Sequence, residues 1–145
     1  MKTYLLDVNV LVTLHLPANA DFERVDAWFG KIGRGGFATC AMTEAGFVRI
    51  ITQQSLYTPD PIRLSEARFS LSKLLEHSGH HFWPMDLGYL EATAHFEGRA
   101  FGHKQVTDSY LLGLAIQHNG VLATMDSRIP HVAGKEFAAH VELIS

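Results

Sequence analysis

Short apolar runs alternate along this chain with longer stretches in which apolar residues recur every three or four positions. Thr3-Tyr4-Leu5-Leu6 is too short for a helix and lacks the in–out alternation of a half-exposed strand, so it predicts a fully buried strand ending at Asp7. Phe37-Ala38-Thr39-Cys40, Phe82-Trp83-Pro84, Val121-Leu122-Ala123-Thr124 and Val141-Glu142-Leu143-Ile144 predict four more. Between them the spacing is helical. The residues after Asp7 turn into a helix reaching Leu14 and closed by Pro17. Asp21 is a suitable N-cap for a second helix carrying Phe22, Val25, Trp28 and Phe29, and Thr43 for a third running to about Gln54. Further helices are predicted over residues 62–77, 87–98 and 107–119, the last ended by Gly120. Residues 30–36 form a glycine-rich break, and 55–62, with Pro59 and Pro61, a loop. Buried strands alternating with helices mean an α/β fold: a short, mainly parallel sheet flanked by helices in three layers. No repeat or linker divides the chain, so residues 1–145 read as a single domain.

Two of the helices share an anomaly. Positions 44, 47, 48 and 51 lie on one face and read Glu, Phe, Val, Ile; positions 108, 111, 112 and 115 read Asp, Leu, Leu, Ala. In each, a carboxylate opens an otherwise apolar stripe that must face the core or the sheet edge. Asp7 and Asp126 stand at the ends of buried apolar strands. In an open α/β sheet, strand C-termini and helix N-termini gather at one rim, where ligands bind. Asp7, Glu44, Asp108 and Asp126 are all expected there. Clustered carboxylates repel one another and are driven towards protonation. A hard divalent cation relieves that conflict, and oxygen-only ligands suit Mg²⁺ or Mn²⁺. The plainer alternative makes each acid a separate cap or first-turn residue, worth about 0.3–1 kcal/mol against the helix dipole. Against it stands the coincidence of all four at one rim, two of them on core-facing stripes.

Composition narrows the classes. With 47% hydrophobic and 19% charged residues the chain is neither disordered nor fibrous. One cysteine forms no internal disulfide, which suits a reducing compartment. Lys2, the apolar stretch from Tyr4 to Leu16 and Ala18-Asn19-Ala20 imitate a secretory leader, but Asp7 and Asn9 interrupt it. No apolar run approaches a membrane span of about 18 residues, so a cytoplasmic protein without membrane contact is expected. Net charge is −3 and the pI about 6.3, whereas binders that grip nucleic acid by a basic surface usually exceed pI 9. The charge nevertheless includes the four rim acids, so it speaks against a broad basic grip and not against phosphodiester chemistry through metals.

Four segments in order are recognisable: Leu5-Leu6-Asp7-Val8-Asn9, Thr43-Glu44, Thr107-Asp108-Ser109-Tyr110-Leu111-Leu112 and Gly120-Val121-Leu122-Ala123-Thr124-Met125-Asp126. Together they resemble the PIN-domain nucleases and, more narrowly, the VapC-type toxins of bacterial toxin–antitoxin pairs. The resemblance implies a PIN-like fold and an endoribonuclease in which Asp7, Glu44, Asp108 and Asp126 hold one or two Mg²⁺ or Mn²⁺ ions. Asn9 and Thr124 would brace the carboxylates by hydrogen bonds. Activated water would attack in line and leave a 5′-phosphate and a 3′-hydroxyl. Some family members carry a further acid just after the last one; here Ser127 and Arg128 follow Asp126, which puts a second metal in question. A homodimer packed through mid-chain helices is implied as well, together with a VapB-type antitoxin that pushes a basic side chain towards the acids.

For contact with RNA, Lys31, Arg34, Arg49, Arg99, Lys104 and Arg128 are expected near the rim, with Arg49, Lys104 and Arg128 favoured and the rest read as solvated charges. His77, His80 and His81 have no cysteine partner and read as a solvated loop cluster rather than a zinc site. Gly33-x-Gly35-Gly36 lacks the Gly-Lys-Ser/Thr ending of a phosphate loop. Cys40 reads as core, as do Phe22, Trp28, Phe29 and Phe47 unless exposure makes them a groove for a partner helix. Two other functions compete: a phosphatase of haloacid dehalogenase type, which wants a second Asp where Asn9 stands, and a non-catalytic PIN-like RNA-binding module, which has no need of four acids.

Overall fold

The computed structural model describes residues 2–55, 59–99 and 101–145. Five strands, β1 (Tyr4–Leu6), β2 (Phe37–Thr39), β3 (His80–Phe82), β4 (Val121–Thr124) and β5 (Val141–Leu143), form one sheet in the order β3-β2-β1-β4-β5. All four pairings are parallel, with Tyr4 level with Phe37 on one side and Val121 on the other. The helices are α1 (Val8–Leu14), α2 (Phe22–Lys31), α3 (Ala41–Ser55), α4 (Leu64–Leu75), α5 (Tyr89–Thr93), α6 (Val106–Gln117) and α7 (Ile129–Ala133).

The strands lack alternation because both sheet faces are covered. Leu5, Ala38 and Leu122 point into a core shared with Leu111, Leu112 and Leu114 of α6 and Ala92 of α5. Their chain neighbours Leu6, Phe37 and Ala123 point the opposite way, into a core with Val10 and Leu11 of α1 and Phe47 and Ile51 of α3. A residue pair on each central strand thus serves two cores, which is the three-layer α/β/α arrangement. Two close approaches fix the helices. A side chain at Gly46 would meet Val8 of α1, and one at Gly113 would run into the Ala92 carbonyl oxygen of α5.

Several boundaries differ from the sequence reading for identifiable reasons. α3 begins at Ala41, so Thr43 lies inside its first turn; its buried hydroxyl accepts the Cys40 N–H and donates to the Cys40 carbonyl, each at 3.0 Å. Asp21 occupies the N-cap position of α2 but makes no capping bond, pairing instead with Arg24 at 3.0 Å. β3 lies two residues earlier than expected because His80, His81 and Phe82 align with Phe37, Ala38 and Thr39. As an edge strand it tolerates polar residues and an exposed Phe82. The helix expected over 87–98 is α5 followed by a 3-10 turn at Ala94–Phe96. α7 is an element with no counterpart in the sequence reading; its Pro130 is tolerated because in a first turn proline removes only an N–H that has no intrahelical acceptor. The 55–62 loop falls partly outside the described residues. Among the described residues no helix is long and apolar enough to cross a membrane.

Candidate active site

Strand order reverses at β1: the chain passes to β2 on one side, and β4 lies on the other. Side chains leaving the C-terminal ends of β1 and β4 therefore face a common crevice. Asp7 follows β1 directly and starts α1, its Oδ1 accepting the Val8 N–H at 2.7 Å. Its other oxygen, Oδ2, accepts the hydroxyl of Thr124, the last residue of β4, at 2.8 Å. The same Thr124 Oγ accepts the backbone N–H of Asp126 at 3.1 Å. One buried hydroxyl thus ties the two strand ends together. Asp108 enters from the first turn of α6, which packs over β1 and β4.

The three carboxylates have diverging proton affinities. Asp7 is only 4% exposed, and burial raises its pKa against the opposing effect of its two hydrogen bonds. Asp108 is pushed up to about 7, first by burial and then by the charges of Asp7 and Asp126. Asp126 goes the other way. Arg128 holds it below the usual range, donating from Nε to Oδ1 and from Nη2 to Oδ2 at 3.0 Å each, with its backbone N–H on Oδ1 at 2.9 Å. The crevice is therefore rich in carboxyl oxygen, with the Arg128 guanidinium holding one of the three carboxylates ionised.

That donor set, carboxylates with a neighbouring hydroxyl and no thiol or imidazole among those interactions, has the chemistry of a hard divalent cation site. Among the described residues no three Asp, Glu, His or Cys side chains converge into a ready-made cage. Mg²⁺ does not ask for one: it keeps several waters and takes one or two carboxylates plus substrate oxygens. Asp7 and Asp108, whose charges interact in the crevice, are two carboxylates of that kind.

Glu44 occupies the same rim in a different setting. It sits in the first turn of α3, at the end of β2, one strand over from Asp7. Its Oε2 accepts the Thr39 hydroxyl at 2.8 Å, and His80 Nε2 lies 2.8 Å from that hydroxyl oxygen. Threonine has one proton, which the carboxylate takes, so His80 Nε2 carries a hydrogen and donates to Thr39. Burial lowers the His80 pKa while the charge of Glu44 opposes the shift. His80 is thus a strand residue in a polar relay, not part of a solvated loop cluster. His77 packs its ring on Phe29 and Phe37, and only His81 of the three is exposed.

The PIN-domain family profile matches residues 4–135, which takes in all four acids. Among curated relatives, Ribonuclease VapC44 of Mycobacterium tuberculosis is 41% identical over 126 residues, covering 86% of this chain and 87% of its own. Ribonuclease VapC39 of the same organism is 34% identical over 130 residues, covering 88% and 91%. The chain belongs to the PIN-domain family, among the VapC ribonucleases. Two solved structures share the fold. VapBC2 from Rickettsia felis, bound to a DNA fragment from its promoter, has a TM-score of 0.58 at 14% identity, covering 99% of both chains. FitAcB from Neisseria gonorrhoeae has 0.55 at 23% identity, covering 98% of this chain and 96% of its own.

On this VapC-type chain the basic residues proposed for RNA separate into distinct places. Arg128 is at the acids. Arg49 lies in a groove between α3 and α4 whose wall includes Glu44, and Lys104 is exposed in the turn just before α6. Lys31 and Arg34 precede β2 and so lie at the opposite rim, a correction to their expected place. Arg99 is a packing residue: its Nη1 donates to the Val132 carbonyl at 2.7 Å and its guanidinium lies against Gly134. Asn9 is exposed on α1 and, among the described residues, hydrogen-bonds no carboxylate, so the bracing expected of it falls to Thr124 alone. Cys40, Trp28, Phe29 and Phe47 join the cores. Sequence reasoning missed Thr39, although it carried a signal: a threonine ending a buried strand as Thr124 does.

Proposed function

We propose that this VapC-type endoribonuclease hydrolyses RNA phosphodiester bonds in the crevice of Asp7, Asp108 and Asp126, with Glu44 at its border, using Mg²⁺ or Mn²⁺. The observation that carries the reading is the gathering of Asp7, Asp108 and Asp126 at the switch point of the sheet, where burial and the two neighbouring charges push the Asp108 pKa up to about 7. Such a group ionises fully at neutral pH only when positive charge arrives. Asp7 and Asp108 would hold the cation, with Asp126 and Glu44 flanking. A divalent cation there supplies acidification of a water and offsets the charge developing on the phosphate. The chain's own part is positional. Thr124 fixes the Asp7 carboxylate and the turn bearing Asp126, and Arg128 presents a guanidinium where a phosphate arrives. No side-chain nucleophile is needed; in-line attack by water leaves a 5′-phosphate and a 3′-hydroxyl.

A VapB-type antitoxin as partner is supported by the shared fold with VapBC2 and FitAcB. Exposed Leu64, Phe69 and Leu90, on α4 and α5, support a homodimer through mid-chain helices. The free, buried Cys40 suits the cytoplasm as the working compartment. Cleavage of total RNA with Mg²⁺ or Mn²⁺ tests the reading, comparing wild type with Asp108→Asn. Wild-type cleavage lost in the variant is the expected result. Equal cleavage by both sinks it, and turnover of a small phosphomonoester instead would return the phosphatase.

A further inference from the structure

Beside Asp126, with Asp108 not in its lining, a polar cleft of about 560 Å³ opens between α1, α2 and the turn after β4. Its volume is in the range of small-ligand sites, and Val12 and Met125 are the only apolar residues in its lining. Two guanidiniums flank it. Arg128 comes from the turn itself, and Arg24 reaches over from α2 so that its Nη2 lies 3.6 Å from the Met125 sulfur, one residue from Asp126. Both are engaged with aspartates, Arg24 with Asp21 and Arg128 with Asp126, each at 3.0 Å. The Arg24–Asp21 pair is about half exposed on both sides, and surface pairs of this kind contribute little and exchange readily. Asn9 and Asn19 add amides to the lining. The Asn19 carbonyl oxygen is taken by the Asp21 N–H at 2.8 Å, which leaves its NH₂ as a donor.

We infer that this cleft is a nucleotide subsite of the nuclease. Arg24 would hold the phosphate next to the scissile one, and Asn9, Asn19 and Ser127 would offer hydrogen bonds to a base or ribose. The inference rests on the nuclease reading, since it takes the scissile phosphate to lie at Asp126. The lining explains why such a site needs no basic surface overall. Each arginine carries its own counter-ion until a phosphate displaces it, so the empty cleft adds nothing to the net charge. A phosphodiester chain passing the acids would meet Arg128 and then Arg24, and charge-assisted bonds to phosphate are stronger than the exposed pair they replace.

The decisive variant is charge-neutral: Asp21→Asn combined with Arg24→Gln removes the pair and leaves net charge unchanged. Binding of a short fluorescein-labelled single-stranded RNA is measured by anisotropy in EDTA, where the metal-dependent reaction is silent, across a salt series. Loss of one phosphate contact lowers the slope of log K against log salt by about 0.7 and weakens binding about tenfold. The same variant with metal should show a raised KM and an unchanged kcat, since Arg24 does not touch the reacting atoms. Arg34→Gln, at the opposite rim, should leave slope and KM alone. If wild type cuts RNA but the double variant keeps its slope and KM, the subsite is overturned while the nuclease stands, and the cleft passes to an acidic protein segment. If wild type neither cuts nor binds RNA, both readings fall.

Discussion

At the ends of β1 and β4, Asp7, Asp108 and Asp126 are placed against one another, whereas over β2 and β3 Glu44 is placed against a hydroxyl and, through it, an imidazole. Both groups stand on the same rim of the same sheet. In the first, burial and like charge raise two of the carboxyls, Asp7 and Asp108, and the hydroxyl of Thr124 links Asp7 to the backbone N–H of Asp126. In the second, the Thr39 hydroxyl donates to a single carboxylate, that of Glu44. Position on the rim therefore does not decide which acid demands a cation; the neighbours do. On the proposed reading a divalent cation would offset the charge of the first cluster, whereas the Glu44 carboxylate already has its hydroxyl donor.

The largest expected effect follows from that contrast. Asp108→Asn should abolish detectable RNA cleavage, a loss above the roughly 100-fold that removing a supporting hydrogen bond costs at metal sites. Glu44→Gln should retain at least about tenfold more activity, because its carboxylate is already engaged away from the trio. Initial rates with Mn²⁺ measure both, and the reverse order would break the comparison. Next comes Thr124→Val, which keeps the shape and removes the shared hydroxyl. Asp7 Oδ2 then loses its donor in a buried site, costing about 1–3 kcal/mol in stability and about 10–100-fold in cleavage. Urea denaturation alongside the cleavage assay separates the two.

The trio also predicts a pH-dependent stability without metal. Asp108 has a folded pKa near 7 against about 3.9 for an unfolded Asp, so the folded state binds the extra proton between those values. Its contribution is fully present below about pH 4 and is lost as pH rises through about 7. In EDTA the melting temperature should therefore fall across that window, and Asp108→Asn should flatten the fall. A divalent cation at 100 times its dissociation constant adds about 2.7 kcal/mol, roughly 5–10 °C for a chain of this size. That rise should appear at pH 7.5 in the wild type and be absent in Asp108→Asn. A wild type whose melting temperature is indifferent to Mg²⁺ and Mn²⁺ would remove the electrostatic basis of the site.

Much of this was legible in the chain because buried strands and core-facing stripes are local patterns. Leu5-Leu6-Asp7 announced both a strand covered on two faces and an acid at its end, and Asp108 stood out by opening an apolar stripe. What the pattern could not carry is pairing between distant segments. Thr39, Glu44 and His80 meet only because β3 docks beside β2 in one register, which brings together residues 41 positions apart in sequence. For the same reason the histidines looked like a loop, and Lys31 and Arg34 were put at the acidic rim although they lead into the start of β2. Asn9 failed for a geometric reason. Two residues after Asp7 the chain is already helical, and the side chain turns outward to the neighbouring cleft.

The smallest expected effect isolates the second cluster. Thr39→Val takes the donor from Glu44 Oε2 and the acceptor from His80 Nε2, yet both side chains are only partly buried, so water replaces what is lost. The stability cost should be about 0.5–1.5 kcal/mol, the net value of an ordinary hydrogen bond. Cleavage should fall less than tenfold, below the range set for Thr124→Val. Thr39→Ser, which keeps the hydroxyl, should restore activity and recover most of the stability, since the missing methyl group is a minor packing loss beside the bond. The two threonines each end a buried strand at 0% exposure and each donate to one carboxylate at 2.8 Å, so packing alone gives them equal weight. What differs is the setting of their acceptors, Asp7 being buried beside another carboxylate and Glu44 only partly buried. A Thr39→Val variant that loses as much cleavage as Thr124→Val would mean that Glu44 belongs to the reacting centre as fully as Asp7 does, and that the rim works as one site rather than two.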